Sequence, residues 1–332
     1  MTRIDSDSKY GDVLKCSEFA FHRDSICLMQ GIPGFLTHSK RIRELSEMAG
    51  NVWNPDSIAG GFSHLADTIG RGESFFKLWS ENEIAKDRSK ATAELIAFPL
   101  KKKSPFVIIC PGGAYMSVAS AIEGFPTAKR LNELGYAAFV LKYRALKHAR
   151  APNPVDDLAQ AIRFIIGNAE KFNILPESYG VMGFSAGGHL AACFGTERLG
   201  YARYGLPKPG CMILAYPVIT MGKHTHRLSQ SNFLGRKGAS NPELTERWSV
   251  EKQATENYPP TFIWQCDRDS AVPIDNSRLM VHALETRHVQ VRYETFNSDV
   301  HGWGSAEGTA AEGWIDRSVA FMEMQRTIDK GE

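Results

Sequence analysis

The hydrophobic positions of the chain form short runs from about residue 91 onward, and each run is followed by a polar or helical segment. Most of the runs are continuous rather than alternating, which is typical of strands buried on both faces of a sheet. The predicted strands are 93–98, 106–110, 137–141, 179–184, 212–216, 261–264 and 291–296.

Amphipathic helices are predicted between these strands. The clearest spans 155–169, where Val155, Leu158, Ile162 and Ile165 fall on one stripe. Further helices are predicted at 126–134, 275–286 and 310–324. Because strands and helices alternate, the sequence predicts an α/β fold with a mostly parallel central sheet and helices on both faces.

Two regions depart from this alternation. Residues 1–85 are predicted to form a helical N-terminal extension that packs on the core, which leaves 86–332 as the main domain built from the alternating strands and helices. Residues 220–258 form a polar insertion between two core strands, with a short helix predicted at 242–252. An insertion of this length either caps a site or is a plain surface excursion, and both interpretations stay open here.

Composition narrows the classes of protein that fit. Hydrophobic residues make up 43% and charged residues 23% of the 332, as in an ordinary soluble protein. The net charge of +2 gives no reason to expect a nucleic acid or a membrane as partner. No run approaches the ~18 apolar residues of a membrane span, and the polar N-terminus lacks a signal-peptide core, so a cytoplasmic location is expected. The six scattered cysteines are expected to be free thiols rather than a disulfide or metal framework.

Residues 183–187 read GFSAG, a Gly-x-Ser-x-Gly motif centred on Ser185. The motif follows the predicted strand 179–184 directly and precedes an apolar run that suits a buried helix. A serine on such a strand-to-helix turn stands above the sheet edge at a helix N-terminus, where the helix dipole favours developing negative charge. We therefore interpret Ser185 as a nucleophile; the alternative is a glycine-rich turn with an inert serine.

A serine nucleophile needs a base, and the base needs an orienting acid. Asp267 and Asp269 follow the predicted strand 261–264, and His301 follows the predicted strand 291–296 by a short loop. The ends of successive parallel strands meet at one sheet edge, so these side chains are predicted to lie near Ser185.

The remaining histidines carry no comparable signal. His189 lies one turn into the predicted nucleophile helix and is interpreted as packing or polar support. His224 and His226 could suggest a metal site, but no third ligand stands nearby, and a surface loop is the favoured interpretation.

The strand 106–110 ends in the sequence PGGAY. An acyl-transfer transition state places negative charge on a carbonyl oxygen, and backbone N–H groups must point at that oxygen. Glycine lets the backbone approach closely, so the turn suits one half of an oxyanion hole, with the N–H of Ala186 as the other half. A simple tight turn is the alternative.

These motifs together resemble the esterase/lipase branch of the α/β-hydrolases. The stretches 110–144, GFSAGGHLAA, YPVIT, PPTFIWQCDRDSAVPIDNS and HGWG resemble the acetyl-esterase and acetyl-xylan-esterase-like group more specifically, and the resemblance covers about 88–325. It implies an α/β-hydrolase fold and a triad of Ser185, Asp269 and His301, because Asp269 stands four residues before Pro273 as the triad acid does in that group.

The resemblance also implies an oxyanion turn in which Gly113 and Ala114 donate while Gly112 makes room. Many relatives in the wider branch have His-Gly-Gly-Gly where this chain has Pro-Gly-Gly-Ala. Bulky Tyr115, Phe184 and Trp303 are expected beside the site, where they would narrow an acyl pocket.

The activity implied is hydrolysis of a small-molecule ester of a short acyl group, of acetyl type, through an acyl-enzyme and without cofactor or metal. Acetylated carbohydrate is one candidate substrate. Three alternatives remain: a peptidase of the prolyl-oligopeptidase type, a formamidase, and a binding protein on a hydrolase scaffold with a vestigial triad. The last of these predicts a missing triad member, whereas all three members are present in the sequence.

Overall fold

An eight-stranded sheet runs through the computed structural model, which describes residues 4–20, 22–23, 25–26 and 37–330. The strands are β1 (Phe75–Lys77), β2 (Glu94–Phe98), β3 (Ser104–Cys110), β4 (Ala137–Lys142), β5 (Ile174–Phe184), β6 (Cys211–Ala215), β7 (Thr261–Cys266) and β8 (Val291–Phe296). Their order is β1-β2-β4-β3-β5-β6-β7-β8. Only β2 runs antiparallel to its neighbours β1 and β4; the other adjacent pairs are parallel. The predicted α/β fold with a mostly parallel sheet is confirmed.

All seven predicted strands are present, and the first strand is an addition. β1 pairs with β2 so that Phe76 lies opposite Leu95. It belongs to the segment 1–85 that we predicted to be helical, and a run of three residues is too short to show a strand period. The N-terminal segment therefore supplies an edge strand to the central sheet as well as helices.

Helices cover both faces of the sheet. The α-helices in the described ranges are α1 (Tyr10–Val13), α2 (Ile42–Met48), α3 (Pro55–Ile69), α4 (Glu81–Lys86), α5 (Phe125–Glu133), α6 (Asn153–Gly167), α7 (Ala169–Phe172), α8 (Ser185–Phe194), α9 (Arg227–Ala239, kinked at Gly235), α10 (Pro242–Arg247), α11 (Asp275–Glu285) and α12 (Trp314–Lys330). Single turns of 3₁₀ helix lie at Ser17–Phe19, Arg88–Thr92, Leu146–His148 and Val250–Lys252, and a π-helical turn at Ser120–Gly124 precedes α5.

Alternate residues of the strands belong to two separate hydrophobic clusters. On β3, Phe106 and Ile108 join one cluster while Val107 and Ile109 join the other, as expected when successive side chains point to opposite faces. The first cluster is covered by α6, α8 and part of the insertion, and the second by α5, α12 and the N-terminal helices. The ring of Phe62 on α3 lies 5.8 Å from that of Phe125 on α5, so the N-terminal extension packs on the core beside α5.

A buried ion pair connects the segment after β1 to α6, which covers the first hydrophobic cluster. Arg144 Nε lies 3.0 Å from Asp157 Oδ2, and both side chains are almost fully buried. Trp79 Nε1 donates to the same carboxylate at 2.8 Å, and Arg144 also reaches Asp87. Loss of one partner would leave an uncompensated buried charge, so this cluster fixes residues 79–87 against α6.

The cysteines in the described part of the chain are free thiols, and Cys27 lies outside it. Over the same ranges, no helix has both the length and the apolar content to cross a bilayer. The cytoplasmic location stays a prediction.

Candidate active site

Ser185 lies on the turn between β5 and α8 and has a φ of 51°, a left-handed conformation that is uncommon for serine. The turn is so tight that a Cβ at Gly183 would collide with the carbonyl oxygen of Gly187, and a Cβ at Gly187 with that of Cys110. The two glycines of the motif are therefore required by close backbone approach. The serine hydroxyl stands at the carboxyl end of the central strand, at the first residue of a buried helix.

Three side chains meet at this edge of the sheet. His301 Nε2 lies 2.8 Å from Ser185 Oγ. His301 Nδ1 lies 2.8 Å from Asp269 Oδ2 and 3.0 Å from Oδ1. With Nδ1 protonated and donating to the carboxylate, Nε2 is left to accept the serine proton, which is the arrangement that nucleophilic acyl transfer requires.

The carboxylate of Asp269 is fully buried and held in place by its own loop. Its Oδ1 accepts the N–H groups of Ala271 and Val272 at 2.9 Å each, and its Oδ2 accepts from the side chain of Gln265 at 3.0 Å. Asp267, by contrast, is exposed, and its Oδ1 accepts the N–H of Ser298. In the structure Asp269 therefore faces His301, whereas Asp267 connects the loop after β7 to the loop after β8.

The PGGAY turn passes next to Ser185 in an unusual conformation. Gly113, Ala114 and Tyr115 all have positive φ, at 124°, 55° and 57°. Within the described chain the N–H groups of Gly113 and Ala114 make no hydrogen bond, and the N–H of Ala186 lies in the first turn of α8, where no intrahelical acceptor exists. Three donors are therefore available beside the serine.

Gly112 is different from the residues that follow it. Its N–H donates to Glu123 Oε2 at 2.5 Å and is not available to a substrate. Gly112 was grouped with the oxyanion residues on sequence, but its bond to a buried carboxylate leaves it only the space-making role that the resemblance implied.

Several known proteins are similar to this chain in sequence or in structure. The family described as BD-FAE matches residues 96–201. The endo-1,4-beta-xylanase B of Butyrivibrio fibrisolvens is 35% identical over 261 residues, which is 75% of this chain and 41% of that protein. The acetylxylan esterase of Xylanibacter ruminicola is 32% identical over 216 residues, 64% of this chain and 44% of the relative.

One solved structure is similar to this chain over almost the whole length of the solved protein. The acetyl ester-xyloside bifunctional hydrolase of Caldicellulosiruptor lactoaceticus is 32% identical, with a TM-score of 0.68, covering 76% of this chain and 96% of that one. The chain belongs to the α/β-hydrolase esterases related to acetylxylan esterases. It spans less than half the length of the two curated relatives. The acetylxylan esterase and the acetyl ester-xyloside hydrolase carry names of ester hydrolases, so the peptidase and formamidase alternatives are not favoured.

Two of the three pocket residues expected in this esterase-family site are not at an open surface. The rings of Tyr115 and Phe184 are fully buried. Tyr115 stacks on Phe233 and its hydroxyl bonds to His189, while Phe184 packs against the core ring of Trp314. Both side chains pack against core rings, so these contacts do not support the prediction that Tyr115 and Phe184 line an acyl pocket, and it stays a prediction.

Trp303, the third pocket candidate, is half-buried and stacks near Trp264, with ring centroids 6.1 Å apart. It follows His301 by two residues, so it stays a candidate for the wall of the acyl pocket.

His189 supports the nucleophile helix from within the core. It is fully buried, and burial lowers its pKa to about 4, so its ring is neutral. Nε2 donates to the carbonyl of Trp248 at 2.8 Å, and Nδ1 accepts the hydroxyl of Tyr115 at the same distance. This histidine joins α8, the oxyanion turn and the insertion, in agreement with polar support.

The insertion 220–258 lies against the site at two places. Its helix α9, which sequence reasoning missed, carries Asn232, whose amide donates to the carbonyl of Ala114 at 2.9 Å. Asn276, beyond the Asp269 loop, donates to the carbonyl of His224 at 2.9 Å. The helix is polar and contains glycine, so its sequence carries little helical signal.

His226 is the residue immediately before this helix, and its side chain is half-buried. Its Nδ1 bonds to Ser229 Oγ at 2.8 Å, and within the described chain its Nε2 has no hydrogen-bond partner. Burial lowers the pKa of His226, and the charge of nearby His301 lowers it further, so the two rings lie within electrostatic range. No group of three metal-ligating side chains occurs among the described residues.

Proposed function

We propose that this protein is a serine esterase that cleaves short-chain, acetyl-type esters through an acyl-enzyme intermediate. The observation that carries the proposal is the hydrogen-bonded series from Ser185 Oγ through His301 to Asp269, beside backbone N–H groups that have no hydrogen-bond partner among the described residues. No cofactor or metal takes part in the proposed reaction.

In the first half of the reaction, Ser185 Oγ attacks the ester carbonyl carbon while its proton moves to His301 Nε2. The electron pair of the C=O bond shifts to oxygen, and the N–H groups of Gly113, Ala114 and Ala186 stabilise that oxyanion. His301 then gives the proton to the departing alkoxide, so the alcohol leaves and the acyl group stays on Ser185.

In the second half, a water molecule replaces the alcohol. His301 takes a proton from this water as it attacks the acyl-enzyme, and returns that proton to Ser185 Oγ when the carboxylic acid leaves. Asp269 selects the imidazole tautomer and stabilises the imidazolium that forms in both halves. Its full burial and four hydrogen-bond contacts keep it ready for this role without reorganisation.

We expect a preference for acetyl over longer acyl groups, with kcat/KM falling from acetate to butyrate to octanoate. Ser185 is only 6% exposed, so the acyl group must fit beside a nearly enclosed nucleophile. The measurement is a panel of p-nitrophenyl and feruloyl esters, acetylated sugars and aminoacyl amides. Octanoate cleaved with a higher kcat/KM than acetate would contradict the preference, and faster cleavage of the amides would favour a peptidase.

We further propose that the insertion covers the site and contacts the alcohol part of the substrate. The three relatives described above carry names that concern xylan or xyloside, which supports an acetylated carbohydrate as that substrate. The unpartnered Nε2 of His226 is suited to a sugar hydroxyl, since a neutral imidazole nitrogen can donate or accept one hydrogen bond.

His226→Ala is expected to raise KM for acetylated xylo-oligosaccharides roughly 10-fold, the value of one or two hydrogen bonds. The kcat/KM for p-nitrophenyl acetate should change by less than about threefold, because its small alcohol does not reach the insertion. His224→Ala is the matched control, since His224 lies two residues away and faces Asp275 at 3.7 Å. Equal effects of His226→Ala on both substrates would contradict contact with the sugar.

A further inference from the structure

A second buried carboxyl lies at the site, and the proposed reaction does not use it. Glu123 belongs to the π-helical turn Ser120–Gly124 and is 6% exposed. Its Oε2 accepts the N–H of Gly112 at 2.5 Å, and its Oε1 accepts the hydroxyl of Tyr216 at 2.8 Å. The same tyrosine oxygen accepts the N–H of Gly304 at 3.2 Å. One carboxyl thus connects the oxyanion turn to the loop that carries His301.

The hydrogen bonds indicate which form of Glu123 is present. Both carboxyl oxygens accept a proton from their partner, and Tyr216, which already accepts from Gly304, has its own proton for the carboxyl. Two accepting oxygens fit the ionised carboxylate. The two partners, Gly112 and Tyr216, carry no positive charge that would compensate the buried carboxylate. The buried charge therefore lowers the stability of the fold, which a purely structural role does not explain.

Tyr216 shows further strain at the same place. It has a φ of 39°, which is rare for an aromatic residue, and its ring meets that of His301 edge-on with centroids 5.2 Å apart. A strained backbone conformation persists only where neighbouring contacts hold it in place. For Tyr216 those contacts are with Glu123 and with the loop that carries His301.

We propose that ionised Glu123 is a positioning residue that holds the oxyanion turn and the His301 loop in their working arrangement. By binding the N–H of Gly112 it aims the next two N–H groups, of Gly113 and Ala114, at the substrate. Through Tyr216 it fixes the backbone at Gly304, three residues after His301. The inference rests on the proposed function only in that it concerns the same site.

Ionisation of Glu123 has a consequence for pH dependence. Burial raises the pKa of Glu123, while its bonds to Gly112 and Tyr216 and the charge of His301 lower it. The titratable groups near His301 are Asp269, Glu123, His226 and Tyr216, and Tyr143 also lies near Glu123. Acid that protonates Glu123 adds a proton to a carboxyl at which two donors already point, so we expect the oxyanion turn to loosen and activity to fall.

The test compares Glu123→Gln with wild type on p-nitrophenyl acetate. The amide keeps the shape of the side chain but offers one acceptor oxygen and no charge, so kcat should fall 10- to 100-fold. This fall is smaller than the one expected when a whole oxyanion-hole donor is removed. KM should stay within about threefold, because ground-state binding is not the interaction removed. The acid limb of the pH profile of kcat should shift to lower pH, because the variant lacks the ionisable carboxyl of Glu123 and its negative charge.

Two further variants separate positioning from folding. Tyr216→Phe keeps the bond to Gly112 but cuts the link to Gly304, and should lower kcat by roughly 10-fold, also at constant KM. Glu94→Gln is the matched control, because Glu94 has a buried carboxyl oxygen on β2, which two strands separate from β5. It should leave kcat and the pH profile unchanged.

Wild-type kcat and an unmoved acid limb in Glu123→Gln would overturn the proposal. A loss of activity that follows only the unfolded fraction, with the acid limb unchanged, would overturn it as well. The rate at which a fluorophosphonate labels Ser185 gives the same comparison without any ester substrate. If wild type is labelled but cleaves no acetyl ester, the proposed function fails while slow labelling of Glu123→Gln still supports the positioning role.

Discussion

Replacing Ser185 by alanine is expected to lower esterase kcat by at least ~10³-fold, the scale of losing a triad nucleophile. The hydroxyl makes its side-chain hydrogen bond to His301, and no other side-chain contact of Oγ is present in the described chain. Alanine fits the same turn, so the variant should fold and keep the wild-type melting temperature within a few degrees.

The measurement pairs steady-state kinetics with fluorophosphonate labelling of wild type and Ser185→Ala. Ser318→Ala is a suitable control, since Ser318 is fully buried on α12 and its hydroxyl donates to the carbonyl of Ile315, away from the site. The control should be active and labelled. A Ser185→Ala variant that keeps more than a tenth of wild-type activity would rule Ser185 out as the nucleophile.

Asp269→Asn should be nearly as damaging, with kcat lower by up to ~10⁴-fold in a folded protein. The amide that replaces the carboxylate can donate to His301 Nδ1, which places the imidazole proton on Nε2 and leaves no acceptor for the serine proton. The variant keeps an oxygen for the N–H groups of Ala271 and Val272, so the loop should hold its shape.

Asp267→Asn is the control for Asp269→Asn, because the two aspartates share one loop and differ in what they contact. Asp267 loses only part of its interaction with the Ser298 N–H and its exposed neighbour Arg268. We expect about 1 kcal/mol or less of stability to be lost and kcat to be retained. Measuring kcat and melting temperature for both variants decides the assignment, and a dead Asp267→Asn beside an active Asp269→Asn would reverse it.

The order of strands and helices could be predicted from the sequence because each core strand is a short apolar run and the long helices are amphipathic. Seven of the eight strands were found in this way, while β1 and α9 were not. β1 is three residues long, and α9 is polar and kinked at Gly235, so neither carries a period of its own. Both are stabilised by what they pack against rather than by their own pattern.

The pocket residues were the weakest sequence prediction. Tyr115 and Phe184 are adjacent in sequence to the oxyanion turn and to the nucleophile, yet their side chains point into the core. Adjacency along the chain gives the position of the backbone, but the direction of a side chain on a strained turn depends on which neighbours offer it space. Tyr115 lies on such a turn, with a φ of 57°, whereas Phe184 ends β5 with extended backbone and packs with the core side chains of that face.

The sequence by itself determined the sheet, its parallel core, Ser185 and His301 at the sheet edge, and a choice between Asp267 and Asp269, because strand periodicity and chain order bring the ends of β5, β7 and β8 together. Only the tertiary structure decided that Asp269 rather than Asp267 faces His301, that Gly112 is bound by Glu123, and that α9 lies over the oxyanion turn. The atoms in these contacts are separated by 11 to 118 residues in the chain. Local patterning does not encode such pairings; they arise when the two faces of the sheet are packed and each buried donor must find an acceptor.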